Sequence, residues 1–329
     1  MRYHHLSLEE RAAIAPMRML GWSIRQIAHA LSRAPSTVSR EVRRNTDPWG
    51  GYAGYWAHRD ARRRRQQTSR AGRLAHPPLA AYVQARFLDR WSPEQIAHRL
   101  PLDFPNDRTM RVSHQTLYQW IAQDRTSGGR WYRCLRQFRR QRRKRYGSGP
   151  RTPRFTGRVS LAERPAIVAR RGRFGDWEGD TVVGRGHSAA VATHVERRSR
   201  VLLAATVPRR TAAVVTQATH RLFRSLPTQL LKTLTVDNGS EWGAFQDLQR
   251  VLPLRVYFAA PYAAWERGTN ENTNGLLRDY FPKHTDFPRV PPAHLANVVR
   301  SLNNRPRKCL AYRTPAEVLR ARFGVALRI

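Results

Sequence analysis

Between residues 161 and 325, three apolar runs of strand length follow one another before the pattern changes to strand alternating with helix. The candidate strands are 177–183, 190–196, 201–206, 233–237 and 254–258. A helical run at 211–225 separates the third strand from the fourth, and one at 241–251 separates the fourth from the fifth. Consecutive strands followed by alternation suggest a mixed sheet flanked by helices.

Carboxylates fall at telling places on this scaffold. Leu234-Thr-Leu-Thr-Val-Asp237-Asn-Gly-Ser reads as a short buried strand ending at a turn, so Asp237 sits where a side chain can face a cleft. Asp176-Trp-Glu178-Gly-Asp180 opens another strand, and its three acids alternate onto one face. Glu271 starts a helical run within Trp265–Arg278, and Asn274, Gly275 and Arg278 share its face. One carboxylate from each place, two on strands and one on a helix, would suit a pair of hard divalent cations. Taken singly, Asp237 is also a good turn residue and Glu271 a good first-turn carboxylate. The spacing alone does not choose among Asp176, Glu178 and Asp180, or between Glu266 and Glu271. Gly179 beside Asp180 suggests room for close approach of a ligand, and Glu271 lies on a helix rather than in a loop.

Gly175-Asp-Trp-Glu-Gly-Asp180, Val236-Asp-Asn-Gly239, Trp265–Arg278, Tyr280-Phe-Pro-Lys283 and Asn304-Arg-Pro-Arg-Lys-Cys-Leu310 with Thr314-Pro315 together resemble the bacterial insertion-sequence transposases of the IS-thirty family. The resemblance implies a ribonuclease H-like integrase core with an Asp-Asp-Glu triad. It maps that triad, as catalytic and metal-holding residues, onto Asp180, Asp237 and Glu271. In that family 33 residues lie between the second Asp and the Glu, and 33 lie between Asp237 and Glu271 here. Three positions depart from the family's usual residues: Trp242 in place of Phe, Asp176 in place of His, and Ala311 in place of Gly. None touches the triad. The cofactor implied is Mg²⁺, two ions, with Mn²⁺ as a substitute.

Charge points the same way. The formal net charge is +37, from 60 Lys and Arg against 23 Asp and Glu, an excess that a polyanion can neutralise. The only lysines are Lys144, Lys232, Lys283 and Lys308; Arg forks suit phosphate and guanine edges, although a G+C-rich genome also inflates Arg. Residues 1–150 carry net +20 and residues 151–329 net +17, so both halves can meet DNA. Two cysteines, Cys134 and Cys309, exclude a disulfide framework and a four-Cys zinc site. With no signal peptide or membrane-length apolar run, the expected location is the bacterial cytoplasm, at the nucleoid.

Residues 1–60 read as a helix-turn-helix DNA-binding domain. Ser7 with Glu10 starts one helix, Ser23 caps Ile24–Leu31, and Arg33-Ala-Pro35 turns into a helix over 36–44. Val38 and Val42 face inward, leaving Ser36, Thr37, Ser39, Arg40 and Arg43 for base edges and phosphates. The family resemblance implies that this unit reads the element's terminal inverted repeats. Arg59–Arg73 is a basic run that reads as a solvated helix face or a phosphate clamp, and without a partner the solvated face is the better reading. Residues 61–124 hold a second helical, helix-turn-helix-like unit. There Ser92 and Pro93 start one helix, and His114 and Gln115 open another that either touches bases or only packs. Residues 125–160 read as a basic linker whose Arg142, Arg143, Lys144 and Arg145 would neutralise DNA phosphates. Residues 161–329 form the catalytic domain, where Arg278 is placed to hold a DNA phosphate or end base.

The expected function is therefore metal-dependent strand cleavage and strand transfer on double-stranded DNA, both repeats and target, by a homodimer or higher oligomer. A DNA-binding regulator derived from a transposase, without catalysis, is the alternative. A stand-alone nuclease of the same fold would have little use for two recognition units.

Overall fold

The structure is a computed structural model and describes residues 5–70, 72–136, 157–260 and 267–324. The chain divides into two compact units, Met1–Ala80 and Ala81–Ile329.

In the first unit, α1 (Leu8–Met19), α2 (Ile24–Ala30), α3 (Pro35–Asn45) and α4 (Gly54–Arg70) surround a small core of Ile14, Ile27 and Val38. Ser7 and Glu10 close a capping box on α1, and Ser23 and Gln26 close one on α2. Pro35 occupies the first turn of α3, where its missing N–H leaves no bond unmade. Arg11 is buried and forks onto Glu41 of α3, Nε to Oε1 at 2.7 Å and Nη2 to Oε2 at 3.2 Å. Ser36, Ser39, Arg40 and Arg43 stand exposed along α3 and Thr37 is half-buried, as the apolar period requires.

α5 (Pro77–Leu88) spans the division between the units. In the second unit, α6 (Pro93–Asp103) carries a Ser92–Gln95 capping box, and α7 (His114–Thr126) is capped by Ser113. After α8 (Ala166–Ala169) comes a five-stranded sheet of β1 (Asp176–Val183), β2 (Ala190–Glu196), β3 (Leu202–Val207), β4 (Thr233–Val236) and β5 (Arg255–Phe258). Its order is β3-β2-β1-β4-β5; the first three strands pair antiparallel, while β4 runs parallel to both β1 and β5. This is the mixed sheet that consecutive strands followed by alternation demand. α9 (Ala212–Phe223) and α10 (Phe245–Val251) cover one face, packing Val215, Phe223 and Leu248 around Trp177 and Trp242. α11 (Gly268–Leu277) and α12 (Pro292–Asn303) cover the other through Leu276, Leu277, Val299 and Leu302. α13 (Pro315–Phe323) closes the chain, starting from a Thr314–Glu317 capping box.

α6 is fastened to the C-terminal elements. Arg99 forks onto Glu317 of α13 at 2.7 and 2.5 Å, and Glu94 accepts from Lys308 Nζ at 2.7 Å and the Tyr312 hydroxyl at 2.9 Å. His98 stacks on the Tyr312 ring at 4.3 Å.

Two local expectations change. The helical run at 241–251 is broken: Ser240–Trp242 forms a 3-10 turn, and α10 begins only at Phe245. Gly243 lowers helix propensity there, and the break drives Trp242 into the core. That core explains Gly179 differently from the sequence. A Cβ at Gly179 would stand 3.0 Å from Trp242 and 3.1 Å from Val236, so the missing side chain makes room for core packing, not for a ligand. Gly179 points to the face of β1 opposite Asp180, as alternation dictates.

Candidate active site

β1 and β4 pair in register through Glu178↔Thr235. Asp180 lies two residues beyond that pair, and Asp237 follows the last residue of β4, so both carboxylates emerge from neighbouring strands. One side chain spans them. Arg267, just before α11, places Nη2 3.2 Å from Asp237 Oδ2 and Nη1 3.6 Å from Asp180 Oδ1, and also donates to the Gly179 carbonyl at 3.3 Å. Asp180 Oδ2 accepts from Asn274 Nδ2 at 2.9 Å, and Oδ1 from the Thr181 N–H at 2.8 Å. Asp237 Oδ1 accepts from the Gly239 N–H at 3.1 Å.

Burial pushes the Asp180 carboxyl up to about 6; Arg267 opposes the shift, and the neighbouring charges of Asp237 and Glu241 add to it. The folded state therefore binds this proton more tightly than the unfolded chain. The stability it contributes is complete below about pH 4 and is lost as pH rises through about 6. Asp180→Asn, which removes the charge but keeps an acceptor for Asn274, should raise the thermal midpoint at pH 8 by on the order of a few degrees and leave it unchanged at pH 4. Melting curves of both proteins at the two pH values check this; a midpoint lowered at pH 8 would show that the charged carboxylate is not penalised.

The three acids of β1 have separate partners. Asp176 is tied to Arg173 Nε at 3.0 Å and to the Thr233 hydroxyl at 2.7 Å, joining β1 to β4. Glu178 is buried against Arg197 at 2.5 Å and accepts from the backbone N–H of Asn270 at 2.8 Å. The Asn270 side chain in turn donates to the Glu178 carbonyl at 3.1 Å. Glu178 therefore caps the first turn of α11 and docks that helix on β1. Arg200 adds a bond to the Thr269 hydroxyl at 2.9 Å. Docked this way, α11 lays Asn274 over Asp180, and Asn274 Oδ1 accepts from Thr193 on β2 at 3.0 Å. Glu271 lies in the same first turn, exposed, one turn before Asn274 on the same helix face. Further along that face, a Cβ at Gly275 would be 2.7 Å from Arg136 Nη2, the far end of a long side chain that can shift aside. Arg278 is half-buried with Nη2 on the Val183 carbonyl at 2.7 Å; burial lowers its pKa, and its guanidinium is engaged by backbone. Among the described residues, no three His, Cys, Asp or Glu side chains are grouped tightly enough to hold a metal ion. Trp265 and Glu266 lie outside the described residues.

Comparison with known proteins bears on what this arrangement does. A family model described as "Helix-turn-helix domain" matches residues 2–45, and one described as "Integrase core domain" matches residues 171–264. The chain is 39% identical to the transposase for insertion sequence element IS1086 of Cupriavidus metallidurans, over 97% of this chain and 95% of that one. It is 37% identical to the transposase for IS4351 of Bacteroides fragilis, over 95% and 94%. It is 36% identical to transposase InsI for IS30A of Escherichia coli K12, over 98% and 85%. The chain belongs to the IS30 family of insertion-sequence transposases. It is thus a DDE-type enzyme acting on DNA, with a ribonuclease H-like integrase core and a helix-turn-helix domain. Membership of the IS30 family implies dependence on a divalent metal. The donor chemistry fits, since Asp180 and Asp237 offer carboxylate oxygens from two strands to one shared positive group.

The other residues that the sequence singled out in this transposase are dispersed. Ser36, Ser39, Arg40 and Arg43 are exposed on α3 in the first unit. His114 and Gln115 are exposed at the start of α7 in the second. Arg142, Arg143, Lys144 and Arg145 lie outside the described residues. Two participants escaped the sequence. Arg267 stands four residues before Glu271, and nothing in its surroundings distinguishes it from the chain's many other arginines. Glu241, buried and accepting from the Thr181 hydroxyl at 2.9 Å, carries no motif at all. Among the described residues, no helix is long and apolar enough to cross a membrane.

Proposed function

We propose that this transposase cuts and joins DNA at the ends of its own insertion sequence, with Asp180, Asp237 and Glu271 holding two Mg²⁺ ions. The observation that carries this is the convergence of Asp180, within β1, and Asp237, at the end of neighbouring β4, on one guanidinium in a chain of this family. Bound there, the ions supply charge neutralisation at the scissile phosphate and activation of the attacking oxygen. Asn274 and the Thr181 N–H orient Asp180, and the Gly239 N–H orients Asp237. Glu271 travels with α11, so the Glu178 dock sets its approach. Arg267 balances the two charges at rest and lies within reach of an incoming phosphate.

Water attack at phosphorus breaks the bond to the 3′-oxygen and leaves a 3′-hydroxyl on the element. That hydroxyl then attacks a target phosphodiester and displaces its 3′-oxygen, so bonds made and broken balance without a covalent link to protein. Two ends must be brought together, which calls for at least a dimer on DNA, working at the bacterial nucleoid.

The ends are recognised by the exposed face of α3. Arg43→Ala is expected to cost roughly 1–3 kcal/mol on repeat-bearing duplexes and little on random ones. An equal loss on both, measured by fluorescence anisotropy, would remove Arg43 from base reading. The activity itself is tested with duplexes carrying the source element's ends in Mg²⁺. Joined product is expected; tight binding with neither cleavage nor joining, in Mg²⁺ or Mn²⁺, would point instead to a DNA-binding regulator.

A further inference from the structure

The first unit holds fifteen arginines against five carboxylates. The fold gathers five of those arginines around one cleft of about 630 Å³ between α3 and α4, and one of them, Arg11, is spent on Glu41. Arg40 and Arg44 come from α3, Arg64 and Arg65 from α4. Glu41 is the one carboxylate in the lining, and it is already taken: Arg11 forks onto it, and Asn45 Nδ2 donates to it at 2.9 Å. Among the described residues, Arg40, Arg44 and Arg65 make no ion pair. Arg40 Nε and Arg65 Nε donate within their own helices, to the Ser36 and Ala61 carbonyls. Arg64 Nη2 donates to Asn45 Oδ1 at 2.7 Å, which ties α4 to the end of α3. Like charges converging on an open cleft with its only anion neutralised leave a strong positive field there.

The angular layout of α3 shows what fills it. At 100° per residue, Ser36, Ser39 and Arg43 share one stripe, and Thr37 and Arg44 form another on the side toward α4. Arg40 stands at the border. A duplex presenting base edges to the first stripe brings one strand's backbone against the second.

We propose that the cleft between α3 and α4 seats the sugar–phosphate backbone flanking the bases that α3 faces, with Arg44, Arg64 and Arg65 binding phosphate oxygens. This rests on the assignment of the exposed face of α3 to base reading. Guanidinium forks match phosphate oxygens in geometry as well as charge. It also divides the Arg59–Arg73 run, for which the sequence leaves a solvated face and a phosphate clamp as whole-run alternatives. Arg62 and Arg63 lie outside the cleft lining, and Arg63 sits 3.6 Å from Asp60.

The test compares two charge-matched double variants of the full chain, Arg64→Gln with Arg65→Gln and Arg62→Gln with Arg63→Gln. Binding is followed by anisotropy between about 50 and 200 mM salt, on a duplex carrying the element's end and on a random duplex. The first pair should flatten the plot of log affinity against log salt by about two units, weaken both duplexes equally, and leave their affinity ratio unchanged. The second pair should change the slope by under about one unit. Because Arg64 also braces α3, Arg44→Gln serves as a second variant that breaks no described bond, and it should lose about one unit by itself. Equal slope changes from the two pairs would overturn the proposal in favour of diffuse charge. So would an end-to-random ratio that falls in the first pair, since the cleft would then be reading bases. Ser39→Ala with Arg43→Ala separates the underlying assignment: an unchanged ratio there removes base reading from α3, whatever the cleft variants show.

Discussion

Asp180→Asn, Asp237→Asn and Glu271→Gln each yield a protein that binds the element's ends as before and neither cleaves nor joins them. The expected loss is on the order of a thousandfold or more, because each amide keeps the shape of its carboxylate but not the charge that holds a hard cation. Asn274 would still find an acceptor at residue 180, so the local geometry has no reason to collapse. DNA binding should survive because the face of α3 proposed to read the bases lies in the other unit. Cleavage and joining on labelled duplexes, with a parallel binding titration, measure both halves of the expectation. Normal cleavage by Glu271→Gln together with a dead Glu266→Gln would move the third carboxylate to Glu266.

The second large effect is expected away from those three. Glu178→Ala should cost about 3–5 kcal/mol, since it leaves Arg197 buried without its partner and strips the Asn270 N–H of an acceptor. It should also cut joining activity, because α11 loses the contact that sets Asn274 over Asp180. Glu178→Gln keeps an oxygen for the Asn270 N–H, and it should be less destabilised and retain measurable joining. Denaturant titration and the joining assay on both variants decide this. Equal stability of Glu178→Ala and the parent protein would mean that the dock is not held by this carboxylate.

The sequence carried the strands well because Val- and Leu-rich runs bounded by turns leave few alternatives, and the observed limits differ from the expected ones by a residue or so. Capping was legible for the same reason: Ser7, Ser23 and Ser92 each have Glu or Gln three residues on, and all three close capping boxes. The break at Gly243 was not legible. It depends on Trp242 finding a slot beside Gly179, some sixty residues earlier, and periodicity does not see across that distance. Among the acids of β1, alternation showed that three share a face but could not rank them. Their partners, Thr233, Arg197 and Arg267, come from three separate parts of the chain. Arg267 illustrates the limit most sharply, because a bridging cation is defined by what lies on either side of it in space.

The division of labour along β1 has a consequence for how the strand is held in register. A slip of one residue would turn every carboxylate into the apolar layer and is forbidden by burial alone. A slip of two residues would keep every acid on its own face, moving Glu178 to where Asp180 now stands, but on the other face it would carry Trp177 into the Gly179 slot that Trp242 and Val236 fill. Side-chain size in the core opposes that error, and the chemical individuality of the acids opposes it a second time. The short Asp176 carboxylate fits between Arg173 and Thr233, and the longer Glu178 reaches both Arg197 and the α11 backbone. Shifting the strand by two would leave a buried guanidinium facing the wrong length of side chain. The ion pair at the base of α11 thus acts as a second check on strand assembly, on the face opposite the fit of Gly179 against Trp242.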